Sequence, residues 1–137
     1  EARALAEERG LGLILCDGAP GIGCPVIASL SQTDLAVVVT EPTPSGVHDL
    51  ERVASLCEHF RTRVAVIVNK HDLNPEHTGR IDAMCAEKGY VLLARLPHDT
   101  AVTEAMVRRQ AVTEGPDSEI ARNIRDAWHR IMDLLQS

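Results

Sequence analysis

The sequence predicts an α/β fold in which a parallel β-sheet is flanked by helices. Short aliphatic runs alternate along the chain with segments whose apolar residues recur every three or four positions, as in strands followed by helices. Aromatic residues make up only 2% of the 137 residues, so Val, Ile, Leu and Ala must build the core. An aliphatic core is typical of strands that helices cover on both faces.

The length fits a single domain, residues 1–137. Residues 1–9 have a helical pattern that Gly10 closes, but no capping residue precedes it and no Met begins the chain. We therefore expect this sequence to be a fragment that starts inside a helix.

In the first half of the chain, the apolar run at residues 11–16 predicts a buried strand. A turn rich in Gly and Pro leads to a short helix near residues 26–30, and residues 35–39 predict the second strand. Ser45 is then expected to cap a helix that begins at Gly46. The apolar face of this helix has helical spacing and comprises Val47, Leu50, Val53, Ala54, Cys57 and Phe60.

The second half continues the alternation. Residues 64–68 predict the third strand, and Asn74 is expected to cap a helix that ends before Gly89. A fourth strand is predicted at residues 90–94. The remaining elements are two helices, over residues 101–109 and 117–136.

Composition excludes several classes of function. The net charge of −6 argues against a nucleic-acid partner, which needs a basic surface. No apolar run approaches the ~20 residues of a transmembrane segment. The cysteines form no C-x-x-C pair, so we expect reduced thiols in a cytoplasmic protein and no zinc or cluster site; they are Cys16, Cys24, Cys57 and Cys85.

Polar residues and glycines follow the predicted strands, where parallel sheets bind their ligands. After the first strand, Asp17 could hold Mg²⁺, and Gly18 and Gly21 could let backbone N–H groups approach a phosphate. Equally, Asp17 could cap the next helix while the glycines form a tight turn. The spacing alone leaves both interpretations open.

Two further loops have the same ambiguity. After the third strand, Asn69 could bind the edge of a purine base, and Asp72 could accept hydrogen bonds from guanine. Alternatively, both side chains satisfy backbone groups of the loop. After the fourth strand, the loop around Pro97 is either a wall for a base or ribose, or an ordinary Pro-containing loop.

Taken together and in this order, these loops resemble the MinD/ParA/Mrp-like P-loop ATPases. The resemblance is strongest to MinD-superfamily ATPases that carry an inserted ferredoxin domain. It rests on residues 17–25 (DGAPGIGCP), 40–50 (TEPTPSGVHDL), 68–74 (VNKHDLN) and 96–99 (LPHD).

The resemblance implies roles on the phosphate side of a nucleotide site. Asp17 would organise the Mg²⁺ shell, and Gly18 and Gly21 would belong to the switch II segment that senses the γ-phosphate. On the base side, the implied nucleotide-binding positions are Thr40, Pro42, Asn69, Asp72 and Pro97, with Asn69 on adenine and Pro97 lining its pocket.

The chain lacks the family's glycine-rich loop, since no G-K-[ST] occurs. We therefore expect the C-terminal part of a Rossmann-like P-loop NTPase fold without its P-loop strand. That loop, and any ferredoxin insert with its [4Fe-4S] clusters, would precede Glu1. This chain alone should then bind ATP or ADP and Mg²⁺ weakly or not at all. We also expect residues 13–16 to pair with residues 35–39 or with another copy of the chain.

For the full-length protein, the resemblance implies a MinD-type switch ATPase linked to iron–sulfur or redox chemistry. It would act as a homodimer, with a redox or iron–sulfur protein as a possible partner. Two alternatives remain: a GTPase-like member of the same class, suggested by the N-K-x-D pattern, and a non-enzymatic α/β interaction module.

Overall fold

A computed structural model describes residues 2–137, so the predicted helical state of Glu1 lies outside the described residues. Ten helices and strands are found within that range. In chain order they are α1 (Ala2–Glu8), α2 (Cys24–Leu30), β1 (Leu35–Thr40), α3 (Pro44–His59), β2 (Arg63–Asn69), α4 (Pro75–Lys88), β3 (Val91–Leu96), α5 (Thr100–Val107), the 3₁₀ helix Val112–Glu114, and α6 (Glu119–Gln136).

The described strands form one parallel sheet in the order β1-β2-β3. Helices α3 and α4 cover one face, where Leu50, Val66 and Ile81 are almost fully buried. Helix α6 covers the other face and packs Ala127 against Ala65 and Leu93. The predicted α/β class, a parallel sheet flanked by helices, is confirmed.

The predicted strand at residues 11–16 is wrong, since this segment has no regular secondary structure. Its apolar side chains are exposed, with Leu15 at 80%. Residues 13–16 do not pair with residues 35–39, because the only neighbour of β1 in the described sheet is β2. A strand gains its backbone hydrogen bonds only from a neighbour, so an apolar run without one stays irregular.

The helix termini largely follow the predicted capping chemistry. Gly10 and Gly89 have positive φ angles of 63° and 72° and end α1 and α4 as expected. Asn74 caps α4 by accepting a 3.1 Å hydrogen bond from the His77 amide. The predicted cap of α3 at Ser45 is wrong, because the Thr43 hydroxyl accepts from the Gly46 amide at 3.0 Å.

The pairing of β2 with β3 contains a bulge, because Val66 pairs with Leu92 whereas Ile67 pairs with Ala94. Leu93 is the extra residue, and its carbonyl accepts a hydrogen bond from the Arg130 guanidinium on α6. The Asn123 amide of the same helix donates to the Arg95 carbonyl at 3.4 Å. These bonds occupy backbone acceptors on the outer edge of β3 and protect it from a further strand.

No helix between Ala2 and Ser137 is both long enough and apolar enough to cross a membrane. The strongly amphipathic helix α6 instead packs on β3. Of the apolar residues of α6, Ile120 is buried, whereas Trp128 remains 40% exposed.

Gly46, in the first turn of α3, allows this helix to approach the end of β1 closely. A Cβ atom at this position would lie 2.2 Å from the carbonyl oxygen of Glu41 and 3.0 Å from Thr40 Oγ1. A distance of 2.2 Å to a backbone atom cannot be relieved by rotating a side chain. Any larger residue must therefore displace the helix or the strand end.

We predict that Gly46→Ala lowers the free energy of unfolding by about 1–3 kcal/mol, since overpacking forces backbone shifts. Gly79→Ala is the matched control, because Gly79 lies inside α4 and a Cβ atom added there would have no neighbouring atom within 4 Å. That change should stabilise the protein by about 0.5–1 kcal/mol. Urea unfolding measures both values, and equal stabilities for the two variants would contradict the close approach at Gly46.

Candidate functional site at the strand ends

The carboxyl ends of all described strands meet at one edge of the sheet. The last residues of β1, β2 and β3 are Thr40, Asn69 and Leu96, and Asn69 pairs directly with Leu96. A helix begins within a few residues of each strand end, so the first turns of α3, α4 and α5 lie at the same edge. This is the position at which open parallel sheets bind ligands.

Thr40, at the end of β1, and Pro42, in the loop that follows, anchor this loop to the protein interior. Both residues are buried, and the Thr40 hydroxyl donates a 2.9 Å hydrogen bond to the Gly46 carbonyl. Next to them, Lys70 and Glu41 form a 2.7 Å ion pair that joins the ends of β1 and β2. Lys70 has a positive φ of 53°, an uncommon conformation for a residue with a Cβ atom.

The loops after β2 and β3 are tied together by hydrogen bonds. The His71 amide donates to the Leu96 carbonyl at 3.0 Å, and Asp72 Oδ1 accepts from the His98 amide at 2.7 Å. The buried Thr78 hydroxyl donates to the His71 carbonyl at 2.7 Å. The bond from the His98 amide is the main reason that the pKa of Asp72 lies below its usual 3.8.

Asn69 and Pro97 are therefore brought together on this tied pair of loops. Both residues are half-buried. Between Ala2 and Ser137, the Asn69 carboxamide makes no hydrogen bond to another side chain or to the backbone. Its donor and its acceptor are consequently both available to a ligand.

Asp17, Gly18 and Gly21 lie on the irregular segment between α1 and α2, and all three are exposed. Gly21 has a φ of 87°, which favours glycine. In the part of the chain that the structure describes, this segment makes no hydrogen bond or ion pair to the strand ends. The residues predicted for the base side are thus joined to one another, whereas those predicted for the phosphate side are not joined to them.

The described residues contain no group of three or more His, Cys, Asp and Glu side chains that could hold a metal ion. A protein cage for a metal ion is therefore not formed within residues 2–137. Mg²⁺ bound with a nucleotide takes most of its ligands from phosphate and water, and needs only one or two carboxylates. Asp17, as a single exposed carboxylate, fits that second kind of site.

The sequence did not indicate two of these contacts, the Lys70–Glu41 ion pair and the bond between Asp72 and the His98 amide. Lys70 belongs to the N-K-x-D pattern, but nothing in that pattern specifies Glu41 as its partner. His98 takes part through its backbone, which carries no sequence signal.

Comparisons with known proteins agree with this architecture. No family model matches the chain. A putative septum site-determining protein MinD of Nephroselmis olivacea is 30% identical, over 70% of this chain and 36% of the relative. A cytosolic Fe-S cluster assembly factor Nubp1 homolog of Drosophila sechellia is 27% identical, over 76% of this chain and 40% of the relative. An uncharacterized protein of Methanocaldococcus jannaschii is 24% identical, over 91% and 41%.

Solved structures share the fold. The MinD cell division protein of Aquifex aeolicus superposes with a TM-score of 0.79 at 21% identity, over 96% of this chain and 58% of that one. A ParA family ATPase from Chlorobium tepidum gives a TM-score of 0.61 at 23% identity, over 80% and 47%.

The fold, the order of the strand-end loops and these relatives place the chain in the MinD/ParA superfamily of P-loop ATPases. The chain spans less than half the length of the curated relatives it matches.

The Asp72 contact predicts a specific dependence of stability on pH. Because the pKa of Asp72 is lowered in the folded state, its charge stabilises the fold fully at pH values above 3.8, the usual pKa of this group. As the pH falls below that value the unfolded state takes up the proton first, so this stabilisation is lost. Wild type should thus exceed Asp72→Asn in free energy of unfolding near neutral pH, and the difference should shrink in acid. Urea unfolding at a series of pH values measures this difference in free energy of unfolding. A difference between wild type and Asp72→Asn that stays constant into strong acid would contradict the contact.

Proposed function

We propose that this chain is the C-terminal part of an ATP-binding, MinD-type switch ATPase, and that it supplies the base side and the switch segment of the nucleotide site. The phosphate-binding loop would lie in another part of the full-length protein. ATP or ADP would bind there with Mg²⁺. The isolated chain would hold neither tightly.

The observation that carries this proposal is the assembled edge at the ends of β2 and β3. Asn69 has a free carboxamide there, and the tied loop beside it presents Pro97. A carboxamide next to the apolar pyrrolidine ring of a proline can bind the polar edge of a base while the ring packs on the face of the base. The proposed assignment of adenine to Asn69 and Pro97 follows from this geometry and from the superfamily.

The exposed side of β1 supports a sheet that continues in the full-length protein. Val39 is 61% exposed and Val37 is 37% exposed, although both lie on a strand. The apolar segment at residues 11–16 is exposed as well. A P-loop strand could pair with the edge of β1 that has no neighbour in the described sheet, and a helix attached to that strand would cover the exposed face on which Val37 and Val39 lie.

In this proposal Asp17 orients the water ligands of Mg²⁺, and Gly18 and Gly21 couple the γ-phosphate to the start of α2. The positive φ of Gly21 suits a backbone that turns sharply toward a phosphate. Residues 18–25 would then be the segment that changes conformation, whereas the residues of the base side would keep theirs.

The wider role is proposed from the relatives. The match to an iron–sulfur cluster assembly factor supports a link to iron–sulfur or redox chemistry, and a ferredoxin insert with [4Fe-4S] clusters would fit that link. One of the solved neighbours is described as a MinC:MinD cell division protein complex, which supports a protein partner. We further propose a homodimer in the cytoplasm.

We predict that Asn69→Ala in the full-length protein weakens ATP binding about 2- to 10-fold, the usual loss for one neutral hydrogen bond. Asn123→Ala is the matched control, because Asn123 lies on α6 and its carboxamide donates a hydrogen bond to the Arg95 carbonyl rather than facing a ligand. Calorimetric titration with ATP and with GTP measures the affinities. If wild type binds GTP more tightly than ATP, the GTPase-like alternative replaces this proposal; if it binds neither, the non-enzymatic alternative does.

We predict that Asp17→Ala lowers Mg²⁺-dependent ATP hydrolysis by the full-length protein on the order of 100-fold, since positioning the ion contributes several kcal/mol. Asp34→Ala is the control, because the Asp34 side chain is also strongly exposed, at 79%. Phosphate release is measured with Mg²⁺ and with EDTA. Equal rates for the two variants in Mg²⁺ would remove Asp17 from the metal site.

A further inference from the structure

Asp72 is the one acidic side chain that bridges the loops after β2 and β3 in the described residues. Its Oδ1 atom lies 2.7 Å from the His98 nitrogen, across 26 residues of sequence. The neighbouring bond from the His71 amide to the Leu96 carbonyl runs in parallel with it. The buried Thr78 hydroxyl fixes His71 in turn. We name the Asp72–His98 contact the loop clamp.

Guanine recognition by a carboxylate would use both of its oxygens, because guanine presents an N1–H and an N2–H donor side by side. In this structure Asp72 Oδ1 is already engaged by the His98 amide. A charge-assisted hydrogen bond of this length is among the stronger contacts in a protein. Guanine would therefore have to share Oδ1 with the His98 amide, in an orientation of the carboxylate that this amide already fixes.

The same loop offers little that would replace Asp72 as a guanine-binding group. Guanine O6 is an acceptor and needs an N–H donor. Pro97 has no backbone N–H, and the amide of His98 is used in the loop clamp. The Asn69 carboxamide and the imidazoles of His71 and His98 make no hydrogen bond in the described residues, and of these three Asn69 is the one at the end of a strand with a donor and an acceptor side by side.

We propose that Asp72 is a positioning residue: it holds the Pro97 loop at the base side of the site and takes no part in selecting the base. This inference rests on the proposed nucleotide site, and it assigns purine selection to Asn69. The N-K-x-D pattern, which suggests guanine binding from sequence, then has a different structural role in this chain.

The two roles can be separated because Asn and Ala differ at position 72. The Asn carboxamide keeps an oxygen that can accept from the His98 amide, but it has lost one of the two acceptors that guanine needs. Ala has neither. Under the loop-clamp role Asp72→Asn should keep the contact, weakened by the loss of charge, and Asp72→Ala should lose it, whereas guanine recognition would fail in both variants.

The first measurement is the rate of amide hydrogen exchange in this chain, detected by NMR. Asp72→Ala should accelerate exchange at His98 about tenfold, and Asp72→Asn should change it by less than that, because one acceptor remains. Glu76→Ala is the matched control, since Glu76 is an exposed carboxylate nearby and its side chain makes no bond in the described residues. Unchanged exchange at His98 in Asp72→Ala would overturn the loop clamp.

The second measurement is nucleotide affinity of the full-length variants, with their thermal unfolding as a check on folding. Asp72→Ala should weaken ATP binding several-fold with an unchanged ratio of ATP to GTP affinity, and Asp72→Asn should restore most of the loss. Selective loss of GTP binding in both variants would overturn the positioning role. If wild-type protein binds neither nucleotide, the proposed function fails, and exchange at His98 still decides whether the loop clamp exists.

Discussion

The parallel pairing of β2 with β3, including its bulge, determines which groups meet at the candidate site. If Leu93 were paired in a regular ladder, Arg95 would lie opposite Asn69; because Leu93 is bulged, Leu96 takes that position. The bulge leaves the Leu93 carbonyl outside the regular ladder, where the Arg130 guanidinium binds it. A helix packed on one face of the sheet thereby stabilises the register that brings Pro97 next to Asn69.

Much of the fold could be predicted because it depends on local patterns. The aliphatic runs that become β1, β2 and β3 were located to within one or two residues, and Asn74 and Gly89 marked the ends of α4 correctly. The position of strand ends also follows from such patterns, so the edge that carries Asn69 and Pro97 was predictable from sequence. A sequence pattern describes the structural preference of one segment. That preference is enough to predict the structure where the segment packs against elements that are close to it in the chain.

The errors occurred where a distant partner decides the structure. Residues 11–16 have the composition of a buried strand, yet no neighbouring strand in the described chain gives them backbone hydrogen bonds. The error in the α3 cap has a local origin instead: Thr43 and Ser45 are equally good capping residues, and Pro44 stands at the first helical position, so that Thr43 is the cap. The contact of Asp72 with a backbone amide 26 residues away has no local signal at all.

The two sides of the candidate site differ in how they are held, and this difference bears on a switch mechanism. The base side is fixed by the sheet register, by the Lys70–Glu41 pair and by the hydrogen bonds of Asp72 and Thr78. Asp17 and Gly21 lie on an exposed segment without comparable contacts. Segments that change conformation must come from the less stable parts of a fold, because a well-packed element costs too much free energy to rearrange. If residues 17–23 are the proposed ATPase switch, they would therefore move relative to strand-end loops that are already joined, so that binding of the base and sensing of the phosphate could be separate events.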